Sequence, residues 1–117
     1  MTASTLEPEN GAQKTPVLAL TTAATRDEAE QLANLLVEEG LAACVNLVPG
    51  LHSIYRWQGA IESASEVLLI IKTSTHLLAD LDRTIAANHA YQVPEFLVVP
   101  ILSGSEPYLN WLISSVR

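Results

Sequence analysis

Apolar positions along the chain follow two different periods, and the switches between them mark the elements. Val17 to Ala23, VLALTTA, reads as a short β-type run. The segment TRDE then sets Thr25 at an N-cap position with Glu28 three residues on, the pattern of a capping box. Beyond it Ala29, Leu32, Ala33 and Leu36 recur at helical spacing, and Gly40 stands where a left-handed C-terminal cap is wanted. This predicts an amphipathic helix that ends near Glu39.

Residues 43 to 58 form the next extended run, interrupted at Pro49-Gly50. Gly59 marks a tight turn into a second run from Ile61 to Thr73, so the two make one long hairpin. In STHLLADLDRTIAANH, Leu77, Leu81 and Ile85 share a helical face, and Pro94 breaks the chain before the strand EFLVVPIL. The last segment, SEPYLNWLISSV, carries Ser105 as N-cap, Pro107 in the first turn, and Leu109, Leu112, Ile113 and Val116 at helical spacing. The order β-α-β-β-α-β with an added C-terminal helix predicts an α+β, ferredoxin-like sandwich: an antiparallel sheet with helices on one face and a long hairpin between its second and third strands.

One face of such a sheet meets helices, and the other, if wet, calls for strands that alternate apolar with polar. Val67 to Ile71 and Phe96 to Val99 are instead apolar without alternation, the pattern of a sheet covered on both faces. The hairpin adds a second argument. Cys44 to Gln58, fully extended at about 3.3 Å per residue, spans roughly 45 Å, against a diameter of roughly 35 Å for a compact domain of this size. Even bent at Pro49-Gly50 the ribbon is expected to project and to bury Tyr55 and Trp57 against another subunit, although aromatics of this kind also serve to close a monomer core. An oligomer is the expectation.

Composition narrows the partners. The 117 residues make one domain, with 13 Asp plus Glu against 6 Lys plus Arg and a formal net charge of -7. That balance disfavours nucleic acid and anionic membrane, whose affinity rests on cationic contacts. A single cysteine excludes an internal disulfide and any paired-cysteine zinc site, and suits a reducing cytoplasm. Residues 1–15 have neither the basic start nor the apolar stretch of a targeting signal, and read as a disordered leader before a domain at 16–117. No apolar run approaches membrane-spanning length, so no membrane insertion is expected.

Four separated blocks, LAACVNLVPGLHSIYRWQGAIE, EVLLIIKT, HAYQVPE and PILSGSEPYLNWL, closely resemble the CutA family of divalent-cation tolerance proteins, from about Val17 to Ser114. The resemblance implies a ferredoxin-like subunit similar to the trimeric PII-type signalling proteins, a cytoplasmic homotrimer with hairpins engaging neighbouring subunits, and tolerance of copper and other divalent ions. The number three comes from the resemblance, not from the patterning. The sequence departs from the family motif at Gln92, which replaces an acid between Tyr91 and Val93. If that acid helps hold a cation, this chain holds it less well.

Thiolate and imidazole are ligands for copper and zinc, which makes Cys44 the evident soft donor. Flanked by Ala43 and Val45, it equally suits a small buried residue. The family match pairs it with His89 and Glu95 in a weak site for copper or another divalent cation, with no cofactor required. Since no two ligands lie at i, i+4 spacing, such a site draws on distant segments or on different subunits. Tyr55, Trp57, Lys72 and Tyr91, with His89 and Glu95, are candidates to line a cleft between subunits for a small anion or metabolite. The chain carries no nucleophile elbow, phosphate loop or dinucleotide fingerprint, so no enzyme is expected. The second reading is a PII-like protein that binds a small molecule between subunits and acts on a partner protein of unstated identity.

Overall fold

A computed structural model describes residues 14–117. The elements run in the expected order: β1 (Pro16–Ala23), α1 (Arg26–Glu38), β2 (Cys44–Trp57), β3 (Ala60–Ser74), a 3-10 turn (Thr75–Leu77), α2 (Leu78–Ala87), β4 (Leu97–Pro100) and α3 (Glu106–Ser114). The four strands form one antiparallel sheet in the order β2-β3-β1-β4. The predicted leader lies outside the described residues except for its last two. Thr15 already joins the sheet: its N–H donates to Thr75 Oγ1 at 3.1 Å and its carbonyl accepts from the Thr75 N–H at 2.9 Å.

The capping box at the start of α1 is present, with the Glu28 N–H donating to Thr25 Oγ1 and the Thr25 hydroxyl reaching the Glu28 carboxylate, both at 3.2 Å. Ala29, Leu32 and Leu36 of α1 and Leu78, Leu81 and Ile85 of α2 are buried against Ala19, Leu69 and Ile71 of the sheet, and these make the main core. Ser105 occupies the N-cap of α3 in extended backbone but makes no side-chain cap bond.

The third helix departs from the expectation of helices on one face. Along β3, Val67, Leu69, Ile71 and Thr73 are buried toward α1 and α2, so Lys72 points to the opposite face. Its Nζ donates to Tyr108 Oη of α3 at 3.1 Å, and Leu112, one turn further along the same side of α3, is buried outside the main core. Thus α3 lies over part of the second face, against β1 and β3. It does not cover all of it: Leu97 of β4 is 56% exposed. β4 is also shorter than EFLVVPIL suggested, because Pro94 and Pro100 lack the N–H groups that would extend the ladder.

The hairpin has two registers. Its tip is a two-residue turn with positive φ at Gln58 (50°) and Gly59 (84°), which fixes Trp57 opposite Ala60 and Leu51 opposite Glu66. At the domain end Cys44 pairs with Lys72 and Val48 with Leu68, one residue out of step. A β-bulge at Pro49-Gly50, where Gly50 takes φ 83°, absorbs the difference. The side chains of Cys44, Asn46 and Val48 therefore share the second face with Leu51, Ser53, Tyr55 and Trp57, while Val45 and Leu47 pack toward the core.

These packing roles differ in energetic weight. In chemical denaturation of the full chain, Leu81→Ala, at a position with no exposure, is expected to cost about 2–5 kcal/mol. Thr25→Ala, which removes only the cap of α1, is expected to cost about 1 kcal/mol.

Candidate functional site

Beyond the bulge the second face of the hairpin and the loop before β4 enclose an open cavity of about 520 Å³. Tyr55 and Trp57 come to it from β2, Glu66 from β3, and Tyr91, Gln92 and Glu95 from the loop, with Thr22 and Ser53 also in the lining. The loop is held by His89. A carbonyl accepts only, so the Nε2–H donates to Thr22 O at 2.6 Å, while Nδ1 accepts the Tyr91 N–H at 3.0 Å. The imidazole also packs against the Tyr91 ring, with centroids 4.7 Å apart and planes 42° from parallel.

Tyr91 Oη donates to Glu66 Oε2 at 2.6 Å. Burial alone would push the Glu66 carboxyl up. Hydrogen bonds from Tyr91, Ser53 and Thr22, aided by the field of His89, outweigh it and bring the group below its ordinary value. Glu66 is thus a held anion. Conversely, burial and then the hydrogen bond and charge of Glu66 push the Tyr91 phenol up, so it stays protonated. Glu95 has no such donors, and burial followed by repulsion from Glu66 raises its carboxyl above the ordinary range.

Of the residues the sequence singled out, Tyr55, Trp57, Tyr91 and Glu95 come together here and Lys72 does not. Lys72 lies six residues along β3 from Glu66, in register with Cys44 and paired with Tyr108, whose ring centroid is 5.4 Å from Nζ. The Tyr108 hydroxyl, against the opposing effect of burial, raises its already high pKa, with a smaller contribution from Cys44. The expected set Cys44, His89 and Glu95 is likewise divided. Cys44 is half-buried at the domain end of β2, and both nitrogens of His89 are engaged at the other end. Among the described residues, no three His, Cys, Asp or Glu side chains gather in a way that would hold a metal ion.

Sequence reading missed Glu66, the one charged group that the cavity's hydrogen bonds converge on, although EVLLIIKT begins with it. Its signal is parity: Glu66 shares a face with Leu68 and Ile70 of the most apolar strand, where an acid needs a reason. Ser53 and Thr22 carried no signal, since their roles exist only once the register is known.

The fold and this site define a class: a ferredoxin-like subunit with an over-long bulged hairpin and a histidine-braced loop over an acidic, aromatic cavity. A sequence model of the CutA1 divalent ion tolerance protein matches residues 17–115, and the chain belongs to that family. It is 50% identical over 93 residues to the divalent-cation tolerance protein CutA of Thermus thermophilus, covering 80% of this chain and 90% of the relative. It is 45% identical over 115 residues to the chloroplastic CutA protein of Arabidopsis thaliana, covering 97% of this chain but spanning only 63% of that relative. The solved Thermus thermophilus Cut A1 structure superposes with a TM-score of 0.86 at 45% identity, over 88% of this chain and 100% of that one. CutA1 from Oryza sativa also gives 0.86, at 41% identity over 90% and 96%. A structure described as the periplasmic CutA of Archaeoglobus fulgidus gives 0.85 at 35% identity, over 88% and 100%.

The electrostatics generate two expectations. Tyr91→Phe removes a donor from Glu66, so carboxyl-detected NMR titration should find the Glu66 pKa raised; an unmoved pKa would contradict the hydrogen bond's role. Glu95 has a folded pKa above its unfolded value, so its ionised form costs stability at neutral pH, and the cost disappears as pH falls through that raised pKa. Glu95→Gln should therefore melt higher than the parent at pH 7, the gap closing toward about pH 4, where the unfolded carboxyl is also protonated.

Proposed function

We propose that this chain is a cytoplasmic homotrimeric divalent-cation tolerance protein that holds copper or a related ion with modest affinity between subunits. The metal-tolerance role is that of the family; the trimer, the copper and the compartment are this reading's own. The carrying observation is surface left bare by the single chain. Ile54 and Ile61, in adjoining pairs near the hairpin tip, are 70% and 71% exposed beyond the reach of α1 and α2, and Leu97 and Val48 are uncovered on the other face. Contiguous exposed apolar surface of this kind marks association.

Dispersed ligands support a site shared between copies. Cys44 is the soft donor in this reading and Glu95 a carboxylate donor, while His89 braces the loop and ligates only if a metal displaces one of its two hydrogen bonds. Among the described residues no helix is long and apolar enough to cross a membrane. Relatives named as chloroplastic and periplasmic show that compartments differ within the family. Their names describe tolerance proteins and no enzyme, and none of those named here points to a PII-type signalling role.

Sedimentation should give a particle of three 12.6 kDa chains, and Ile54→Asp with Ile61→Asp should release smaller, folded species at nanomolar concentration. A parent that sediments as a monomer overturns the assembly. Copper titration with metal analysis should show Cys44→Ala losing bound copper; an unchanged stoichiometry removes Cys44 from the site.

A further inference from the structure

The cavity's chemistry differs from what its sequence candidates suggested. With Lys72 in it, the cleft suits an anion; without Lys72, the sign reverses. Its lining holds two carboxylates, Glu66 and Glu95, and no Lys, Arg or free imidazole. Tyr91, Ser53 and Thr22 satisfy Glu66, which leaves it a fixed negative charge with no cationic partner in the lining. Glu95 is the carboxylate whose oxygens are not claimed by such donors. The remaining wall is aromatic, from Tyr55 and Trp57, with the Gln92 amide beside them.

This donor set does not suit a transition metal, because it has neither thiolate nor available imidazole. A hard ion such as calcium or magnesium needs six or more oxygens drawn around one point within about 2.0–2.6 Å. An open space of about 520 Å³ walled by rings is the wrong size and half the wrong chemistry for that. Aromatic faces with carboxylates are what an ammonium group requires: the ring quadrupole attracts the cation, carboxylate oxygens accept its N–H groups, and the carbon chain lies on the rings. The chain's net charge of -7 favours the approach of a cation.

We infer that this cavity binds a small organic cation carrying one ammonium group, seated on the Tyr55 and Trp57 rings with Glu95 as its hydrogen-bond acceptor. This is distinct from the metal site proposed above, which depends on Cys44 at the far end of the hairpin, and either stands without the other. Glu95, raised by burial and by its neighbour's charge, is the group a bound cation would return to its ionised form, so binding strengthens as pH rises through that raised pKa.

The test titrates the assembled full-length protein with three four-carbon probes of similar length, n-butylamine, n-butanol and butyrate, following backbone amide shifts by NMR at pH 7.5. Butylamine is expected to shift Tyr55, Trp57, Tyr91 and Gln92 with a Kd of about 1 mM or below, the range open to so small a ligand. Butanol should bind at least about tenfold more weakly and butyrate should leave the cavity unperturbed. Glu95→Gln, which should fold at least as stably as the parent, is expected to reduce butylamine affinity about tenfold, and lowering the pH to about 5 should do the same in the parent but not in the variant. Equal binding of butanol and butylamine would reduce the cavity to an apolar pocket and overturn the inference. So would binding of butyrate, an unchanged affinity in Glu95→Gln, or no shift with butylamine at these residues, which would mean that another copy fills the space.

Discussion

One extra residue in β2 sets the relation between the two halves of this molecule. The turn at Gln58-Gly59 imposes one strand register and the core imposes another, because Val45 and Leu47 must face α1 and α2. Strand side chains alternate with period two, so a mismatch of one residue would turn an entire segment to the wrong side. Without the bulge, either Tyr55 and Trp57 would leave the face that carries Glu66, or Val45 and Leu47 would leave the core. Pro49-Gly50 reconciles the two: proline needs no ladder partner for its missing N–H, and glycine accepts positive φ without a Cβ penalty.

From that register the second face divides into two environments about six residues of strand apart. At the domain end lie Cys44, Lys72 and Tyr108, where α3 supplies cover and a cation is already matched with an aromatic hydroxyl. At the distal end lie Glu66, Tyr91 and Glu95, where the loop braced by His89 brings hydroxyl donors to one carboxylate and leaves the other without them. Burial acts on both carboxyls in the same direction, and hydrogen bonding separates them, so that one is a permanent charge and the other titrates nearer neutrality. Between these ends runs apolar surface that the chain does not cover by itself.

Most of the fold was legible because its signals are local. The capping box at Thr25, the helical spacing of Leu77, Leu81 and Ile85, and the Pro49-Gly50 interruption each mark a feature of the structure. The unbroken apolar run of β3 anticipated cover on both faces, and α3 supplies part of it. The site was legible only in part. HAYQVPE pointed to the loop, yet the role of His89 depends on the carbonyl of Thr22, 67 residues away. Lys72 was assigned to the wrong end because motif blocks give identities and not positions along a strand. Glu66 was overlooked because an acid at the start of a strand reads as a solvated boundary until the register shows what stands opposite.

The register itself is the most direct point of test, since core, cavity and bare faces all follow from it. Cross-strand nuclear Overhauser effects in the isotope-labelled protein read it without mutation. The account predicts backbone contacts of Val48 with Leu68 and of Leu51 with Glu66, together with ring contacts from Tyr55 to Tyr91. An unbroken ladder that carries Val48 opposite Leu68 and Gly50 opposite Glu66, with Ile54 in contact with the Tyr91 ring in place of Tyr55, would contradict it.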